Sequence, residues 1–320
     1  MHHFVTGVAG FIGSQLADCL LEGGERVSGV DDFSLGRPEH LASARKNPRF
    51  QFLERDISGP EQAIECFRTA SEGQGPVDII WHLAANSDIA AGSADASIDF
   101  RKTLQTTFAV VEAAKSQGVK QIAFASTSAV YGERDDVLSE SSGPLLPISN
   151  YGATKLASEA LLSAAAELFV ERLWIFRFPN VVGPRSTHGA ILDFITRLAS
   201  HPGSLTVLGD GLQTKPYLHV SELIAAMRFI VAHATARRNV FNIGPTGAGT
   251  SVAFIAERVV ARTLPGTPIA YTGGDRGWVG DVPRFRYSTE RLANLGWQPA
   301  LSSDEAVVRA IDEVASSRTR

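Results

Sequence analysis

Thr6-Gly7-Val8-Ala9-Gly10-Phe11-Ile12-Gly13 continues the short apolar run Phe4-Val5-Thr6 and leads into a helical pattern from Ser14 to Leu21. Strand, glycine turn and helix form the context in which a glycine motif carries meaning. Gly7 permits the tight turn, Gly10 lets a pyrophosphate approach the backbone, and Gly13 lets helix and strand pack closely. The helix N-terminus then offers N–H groups and a positive dipole end to phosphates. The spacing is G-x-x-G-x-x-G, not the commoner G-x-G-x-x-G.

Working outward, a second strand, Arg26 to Val30, ends in Asp31-Asp32, eighteen residues past Gly13. A carboxylate there can hold both ribose hydroxyls of NAD, and its charge repels the extra phosphate of NADP. Phe50 to Leu53 is a strand leading to Asp56-Ile57, and Val77 to Leu83 is another, ending in His82-Leu83-Ala84-Ala85. Small residues at that strand end suit close approach by a cofactor. Helical periodicity covers about 94–117, Gln121 to Ala125 forms a fifth strand and Leu173 to Phe178 a sixth. Strands alternating with helices predict a Rossmann-type, doubly wound parallel α/β sheet covered on both faces. Ligand then lies beyond the C-terminal strand ends, where each of these motifs falls.

The most chemically suggestive stretch is Asn150-Tyr151-Gly152-Ala153-Thr154-Lys155, at the head of an Ala/Leu/Glu-rich helix. Positions i and i+4 share a helix face, so the Tyr151 phenol and the Lys155 ammonium are expected together. A cation beside a phenol favours phenolate and lowers its pKa toward a range where tyrosine acts as a base. Thr127, twenty-four residues earlier in Ser126-Thr127-Ser128-Ala129-Val130-Tyr131-Gly132, follows the fifth strand at the mouth of the sheet. Its hydroxyl can bond a substrate oxygen next to the phenol.

Past residue 178, glycine and proline punctuate the chain, with helices near 190–200, 221–233, 252–262 and 303–314. This predicts residues 1–178 as the nucleotide-binding domain, joined by parts of 217–244, and 179–320 as a smaller substrate-binding α/β lobe. Arg177, Arg185, Lys215, Arg276, Arg284 and Arg286 are expected to supply cations in that lobe, and Asn180 a neutral donor. Composition sets outer limits: 320 residues, 44% hydrophobic, 20% charged and a net charge of −4 describe an ordinary globular enzyme. Nothing here favours nucleic acid or an anionic membrane, and no apolar run reaches the length of a span. The N-terminus lacks the regions of a signal peptide, and two cysteines, Cys19 and Cys66, predict no disulfide and a cytoplasmic setting. The histidines show no metal-ligand spacing; His82 and His219 read as packed strand residues.

Together these residues resemble the extended short-chain dehydrogenase/reductase superfamily, and within it the nucleotide-sugar epimerases and dehydratases. The similarity spans nearly the whole chain: Thr6 to Gly13, Asp31 to Ser34, His82 to Ala85, Ser126 to Gly132, Tyr151…Lys155, Arg177 to Arg185, Gly209 to Gly211 and Tyr217 to Val220 appear in order. The C-terminal half is most similar to UDP-glucose 4-epimerases. The resemblance implies Tyr151 as catalytic base, Lys155 as its partner that also holds the nicotinamide ribose, and Thr127 on the sugar hydroxyl. It implies an NAD site of Gly7, Gly10, Phe11, Ile12, Gly13, Asp31, Asp32, Ser34, Asp56 and Ile57. Leu83, Ala84, Ala85 and Phe178 complete it. It also implies Asn180 and Lys215 on the sugar nucleotide, with Lys215 in place of a more usual arginine. Trp278 stands where a diphosphate-binding arginine is usual, so Arg276 is assigned that contact. Thr103 replaces an asparagine common near the cofactor. A homodimer through the paired helices around 94–117 and 149–168 is implied as well.

Relatives share oxidation at C4 of the sugar and then diverge. Dehydratases resembling this chain carry Asp-Glu directly after the threonine, and decarboxylases usually keep a glutamate there. Ser128 and Ala129 occupy those places here. Alanine moves no proton, so 4-epimerisation of a UDP-type sugar, with NAD retained, is the expected outcome. The alternatives are dehydration, decarboxylation, net 4-keto reduction, or a non-catalytic NAD-binding protein.

Overall fold

The computed structural model of the chain describes residues 1–245, 247–274 and 286–318. It divides into two compact units. The first contains Met1–Val130, Leu146–Arg177 and Met227–Phe241; the second contains Tyr131–Leu145, Phe178–Ala226 and Asn242–Arg320.

The first unit is built on β1 (His2–Thr6), β2 (Arg26–Asp31), β3 (Phe50–Glu54), β4 (Ile79–His82), β5 (Gln121–Thr127), β6 (Arg172–Phe178) and β7 (Arg238–Asn242). Their order across the sheet is β7-β6-β5-β4-β1-β2-β3, and β1 pairs in parallel with both β2 and β4. β1, β4 and β5 are buried almost end to end because helices cover both faces, so they read as continuous apolar runs. The topology reverses beside β1, the place where open parallel sheets bind ligands past their C-terminal ends. Helices α1 (Phe11–Glu22) and α2 (Pro60–Gln74) follow β1 and β3, and Phe4 meets Phe67 of α2 with ring centroids 4.0 Å apart.

The helix expected over about 94–117 is interrupted. It is resolved as α3 (Ile89–Ala94), α4 (Ala96–Asp99), a π-helical turn over Phe100–Gln105 and α5 (Thr106–Ser116). Asp95 makes the break between α3 and α4, and Asp88 caps the start of α3. Asp88 and Asp95 adopt extended backbone and accept hydrogen bonds from Ala91 N–H and Ser97 N–H, the geometry of helix N-caps. α6 (Asn150–Leu168) is capped the same way by Ser149, whose hydroxyl accepts from Gly152 N–H.

The second unit packs helices Ala190–Ser200, Val252–Thr263 and Ser303–Arg318 around Phe194, Ile255, Val259, Val307 and Ile311. Short strand pairs complete it, including Asn180–Val182 with Tyr217–His219 and Thr214–Lys215 with Thr250–Ser251. Among the described residues no helix is long and apolar enough to cross a membrane.

Candidate active site

The glycine turn is held by its own packing. Gly7 has φ +67, a left-handed conformation that disfavours side chains, and its N–H donates to Val30 C=O at 2.9 Å. A Cβ on Gly7 would stand 2.9 Å from Ala84 N, and one on Gly13 only 2.2 Å from Gly7 O. Gly10 differs: its φ is −72, and a Cβ there would meet a single atom, Gly7 O, at 3.1 Å. Apart from that one tight backbone contact, the protein's own atoms leave the face above Gly10 clear. Gly10 is also the N-cap of α1 and brings no side chain to the first-turn N–H groups; no acid lies in that turn. Such an opening suits an anionic diphosphate at a helix N-terminus, and it is what a dinucleotide needs. Phe11 and Ile12, the first residues of α1, are half-buried beside it.

Asp31 closes the other side. Its Oδ2 accepts from Ala9 N–H at 2.9 Å and its Oδ1 from Phe33 N–H at 2.8 Å. Each oxygen keeps a lone pair, enough for two ribose hydroxyls. Burial raises the Asp31 pKa against these bonds. Asp32, next in line, bonds Ser34 through N–H and hydroxyl, while Asp56 at the end of the neighbouring strand bonds Ser58 N–H. Ile57 is buried. Leu83 and Ala84 both donate backbone N–H to Thr6 Oγ1, at 3.1 and 3.0 Å, which presses the β4 end against the glycine turn; Ala85 is half-buried next to them.

Thr6 also settles the state of buried His82. With its oxygen accepting two N–H bonds, the Thr6 hydroxyl donates to His82 Nδ1 at 2.9 Å. His82 Nε2–H is then the donor to Thr107 Oγ1 at 3.0 Å. Burial pushes the His82 pKa down to about 3, so the ring stays neutral. It is a packed strand histidine, as the sequence indicates. Thr103 sits alongside, its Oγ1 accepting Asn86 N–H at 3.1 Å, and Asn86 Nδ2 donates to buried Asp99 at 2.9 Å.

The candidate trio Thr127, Tyr151 and Lys155 lies where α6 meets the end of β5. A Cβ on Gly152 would lie 2.6 Å from Ala129 O, so a glycine after Tyr151 lets the two backbones touch. That contact brings Thr127 into a hydrogen bond with the Tyr151 phenol. Lys155 is 3% exposed; its Nζ donates to Ala125 C=O at 2.7 Å and lies 4.8 Å above the Phe124 ring. The electrostatics depart from expectation. Burial pushes the Tyr151 pKa up to about 12, Thr127 pulls against it, and the Asp99 carboxylate adds to the rise. Lys155 does not lower it, because burial pushes its own pKa down to about 7 and its proton is committed to the Ala125 carbonyl.

Sequence reading missed the groups behind this trio. Glu159, one turn beyond Lys155, is buried, accepts from Ser126 Oγ, and pairs with Arg177 Nη2 at 2.6 Å and Nε at 3.0 Å. Arg177 is thus a buried counter-ion of the first unit, not a cation of the smaller lobe. The i, i+4 spacing of Lys155 and Glu159 was the available signal. Lys102, which bridges Asp32 and Asp56 at 2.5 and 3.0 Å, had no signal of its own.

The second unit carries the remaining candidates. Asn180 is exposed on its short strand opposite Tyr217, Lys215 is 9% exposed opposite Thr250, and Phe178 opens the unit half-buried. Arg185 holds φ +64, a strained conformation for a side-chain-bearing residue. Tyr131 is buried and its hydroxyl donates to Asn242 Oδ1 at 2.7 Å. Arg276 lies outside the described residues. Among the described residues no group of three or more His, Cys, Asp or Glu is arranged to hold a metal ion.

Known proteins are similar to this chain in sequence and fold. The family described as "NAD dependent epimerase/dehydratase family" matches residues 3–244. A UDP-glucose 4-epimerase of Mycolicibacterium smegmatis is 30% identical over 319 residues, covering 98% of each chain. A crystal structure of a UDP-galactose 4-epimerase aligns with a TM-score of 0.85 at 33% identity, covering 99% of both chains. A UDP-glucose 4-epimerase of Thermotoga maritima, solved with UDP-glucose, aligns at 0.86 and 27% identity over 100% of this chain and 99% of its own. Since the family match runs from the first strand of the sheet through the last, and the likeness to solved relatives covers both units, this protein belongs to the NAD-dependent epimerase/dehydratase family.

Proposed function

We propose that the protein inverts C4 of a UDP-hexose, interconverting UDP-glucose and UDP-galactose through a transient 4-keto sugar while keeping NAD bound. The observation that carries this reading is the hydrogen-bonded Thr127–Tyr151 pair beside buried Lys155, followed by Ser128 and Ala129 instead of acids. The relatives named above support the choice of sugar nucleotide.

Bound NAD supplies the reversible two-electron acceptor for the hydrogen on C4. The chain's own residues handle the proton and the orientation. Thr127 holds the 4-hydroxyl oxygen, and Tyr151 takes its proton as C4 becomes a carbonyl. A phenol with a pKa near 12 is a strong base once ionised but is rarely ionised at neutral pH. The reacting form is therefore the minor phenolate, which has already given its proton to solvent, is favoured by the Thr127 hydrogen bond, and takes the 4-hydroxyl proton as the oxidation proceeds. Lys155, one turn further along α6 and titrating near 7, can gain or lose a proton at little cost. After the 4-keto sugar turns its other face, the same phenol returns the proton. Elimination of water would need an acid at 128 or 129, and neither Ser nor Ala supplies one.

The test is direct. Incubation with UDP-glucose or UDP-galactose should give the other sugar with no change in product mass, and Tyr151→Phe should lose about 10²–10⁴-fold in kcat. Product lighter by water or CO2 would replace this reading with dehydration or decarboxylation, and a fully active Tyr151→Phe would remove the base.

A further inference from the structure

We propose that Lys102 is a clasp on the adenosine end of the cofactor site, holding NAD by tying together the three chain segments that surround it. The inference rests on the reading of Asp31 as the ribose-binding carboxylate.

The sheet ladder between β2 and β3 ends at Asp31 opposite Glu54. Past that register a single backbone bond, Arg55 N–H to Asp31 C=O at 3.1 Å, continues between the strand ends, and the turns beyond it are tied by side chains. Asp32 leaves one loop and Asp56 the other, and each divides its oxygens in the same way. Asp32 Oδ1 fixes its own turn through Ser34, and Asp32 Oδ2 takes the Lys102 ammonium at 2.5 Å. Asp56 Oδ1 fixes its own turn through Ser58, and Asp56 Oδ2 takes the same ammonium at 3.0 Å.

Lys102 comes from a third segment, the π-helical turn Phe100–Gln105 that joins α4 to α5. A π-turn inserts an extra residue per turn and is found mostly where function requires a side chain at a particular place. Gln105 on the same turn reinforces the tie by donating from Nε2 to Ser58 C=O at 3.1 Å. One cation thus joins loops that would otherwise present two like charges to each other. The Lys102 side chain is 35% exposed, so water can compete for it and the tie can open. A contact that is made and broken at modest cost, across the lip of a ligand cleft, governs release more than folding.

The experiment measures release of NAD from the full-length protein. Wild type, Lys102→Ala and Lys102→Arg are loaded with NAD, and the dissociation rate is followed by trapping freed cofactor. Thermal midpoints are recorded with and without NAD. Two partly exposed ion pairs predict release about three- to thirtyfold faster in Lys102→Ala, with most of the loss restored in Lys102→Arg. Raising the salt concentration should speed release from wild type and leave Lys102→Ala unaffected. Equal release rates in wild type and Lys102→Ala, or a lowered midpoint without NAD and unchanged release, would overturn the clasp alone. A wild-type protein that retains no NAD would overturn the cofactor reading beneath it.

Discussion

Replacing Lys155 by methionine should stabilise the cofactor-free protein near neutral pH and remove part of its pH dependence. The ammonium is buried, and burial lowers its pKa from 10.5 to about 7 even though Glu159 and Asp99 act the other way. Between those two values the unfolded chain binds the proton and the folded chain does not, so stability rises with pH through that interval. At about 1.4 kcal/mol per pH unit, the burial cost near pH 7 is roughly 4 kcal/mol. Most of it is relieved by about pH 9.5, where the unfolded lysine is itself beginning to lose its proton. Methionine keeps the length of the side chain and forfeits the hydrogen bond to Ala125 C=O, a loss of about 1–2 kcal/mol. The variant should therefore be more stable by about 2 kcal/mol near pH 7, with the advantage gone by about pH 9.5. Urea unfolding of NAD-stripped protein, followed by tryptophan fluorescence at constant ionic strength, measures the difference at each pH. Titrations shared by the two proteins cancel in that difference. Midpoints that move in parallel, or a wild-type midpoint that falls as pH rises through this interval, would refute the argument that Lys155 is held largely uncharged.

Gly13→Ala should fold poorly or lose NAD affinity by more than tenfold, because its Cβ would stand 2.2 Å from a backbone oxygen that no rotamer change can move. Gly10→Ala, whose Cβ meets only Gly7 O at 3.1 Å, should lower the thermal midpoint much less than Gly13→Ala and lose NAD affinity in calorimetry; unchanged affinity would mean that no ligand approaches that face. Glu159→Gln should cost about 3 kcal/mol in urea unfolding, since it leaves the Arg177 guanidinium buried without its counter-charge. A cost below about 0.5 kcal/mol would show that the pair is solvated in solution.

The fold was legible because its signals are local. A glycine turn between a strand and a helix, an acid at the next strand end, and apolar runs separated by helical periodicity each need only a few consecutive residues. β1 through β6 accordingly lie within a few residues of where the pattern put them. The interrupted helix over 89–116 was less legible, since Asp88 and Asp95 acquire their capping role only from backbone conformation. The Tyr151, Lys155 and Thr127 set was visible for the same local reason, together with a resemblance that covers the chain. The charge state of that set was not. It depends on how much water each group loses and on which distant atom takes its proton, and no spacing encodes either quantity.

What the sequence determined alone is the order of strands and helices, the glycine turn between β1 and α1, and which residues are candidates for chemistry. Each follows from short-range sterics and periodicity along the chain. Tertiary structure alone decided that Lys155 bonds a carbonyl and not the phenol, that Arg177 is a buried partner of Glu159, and that Lys102 spans two strand ends. Those facts arise where segments far apart in sequence meet and exclude water. Desolvation and pairing there are set by three-dimensional neighbours, which a linear pattern does not contain.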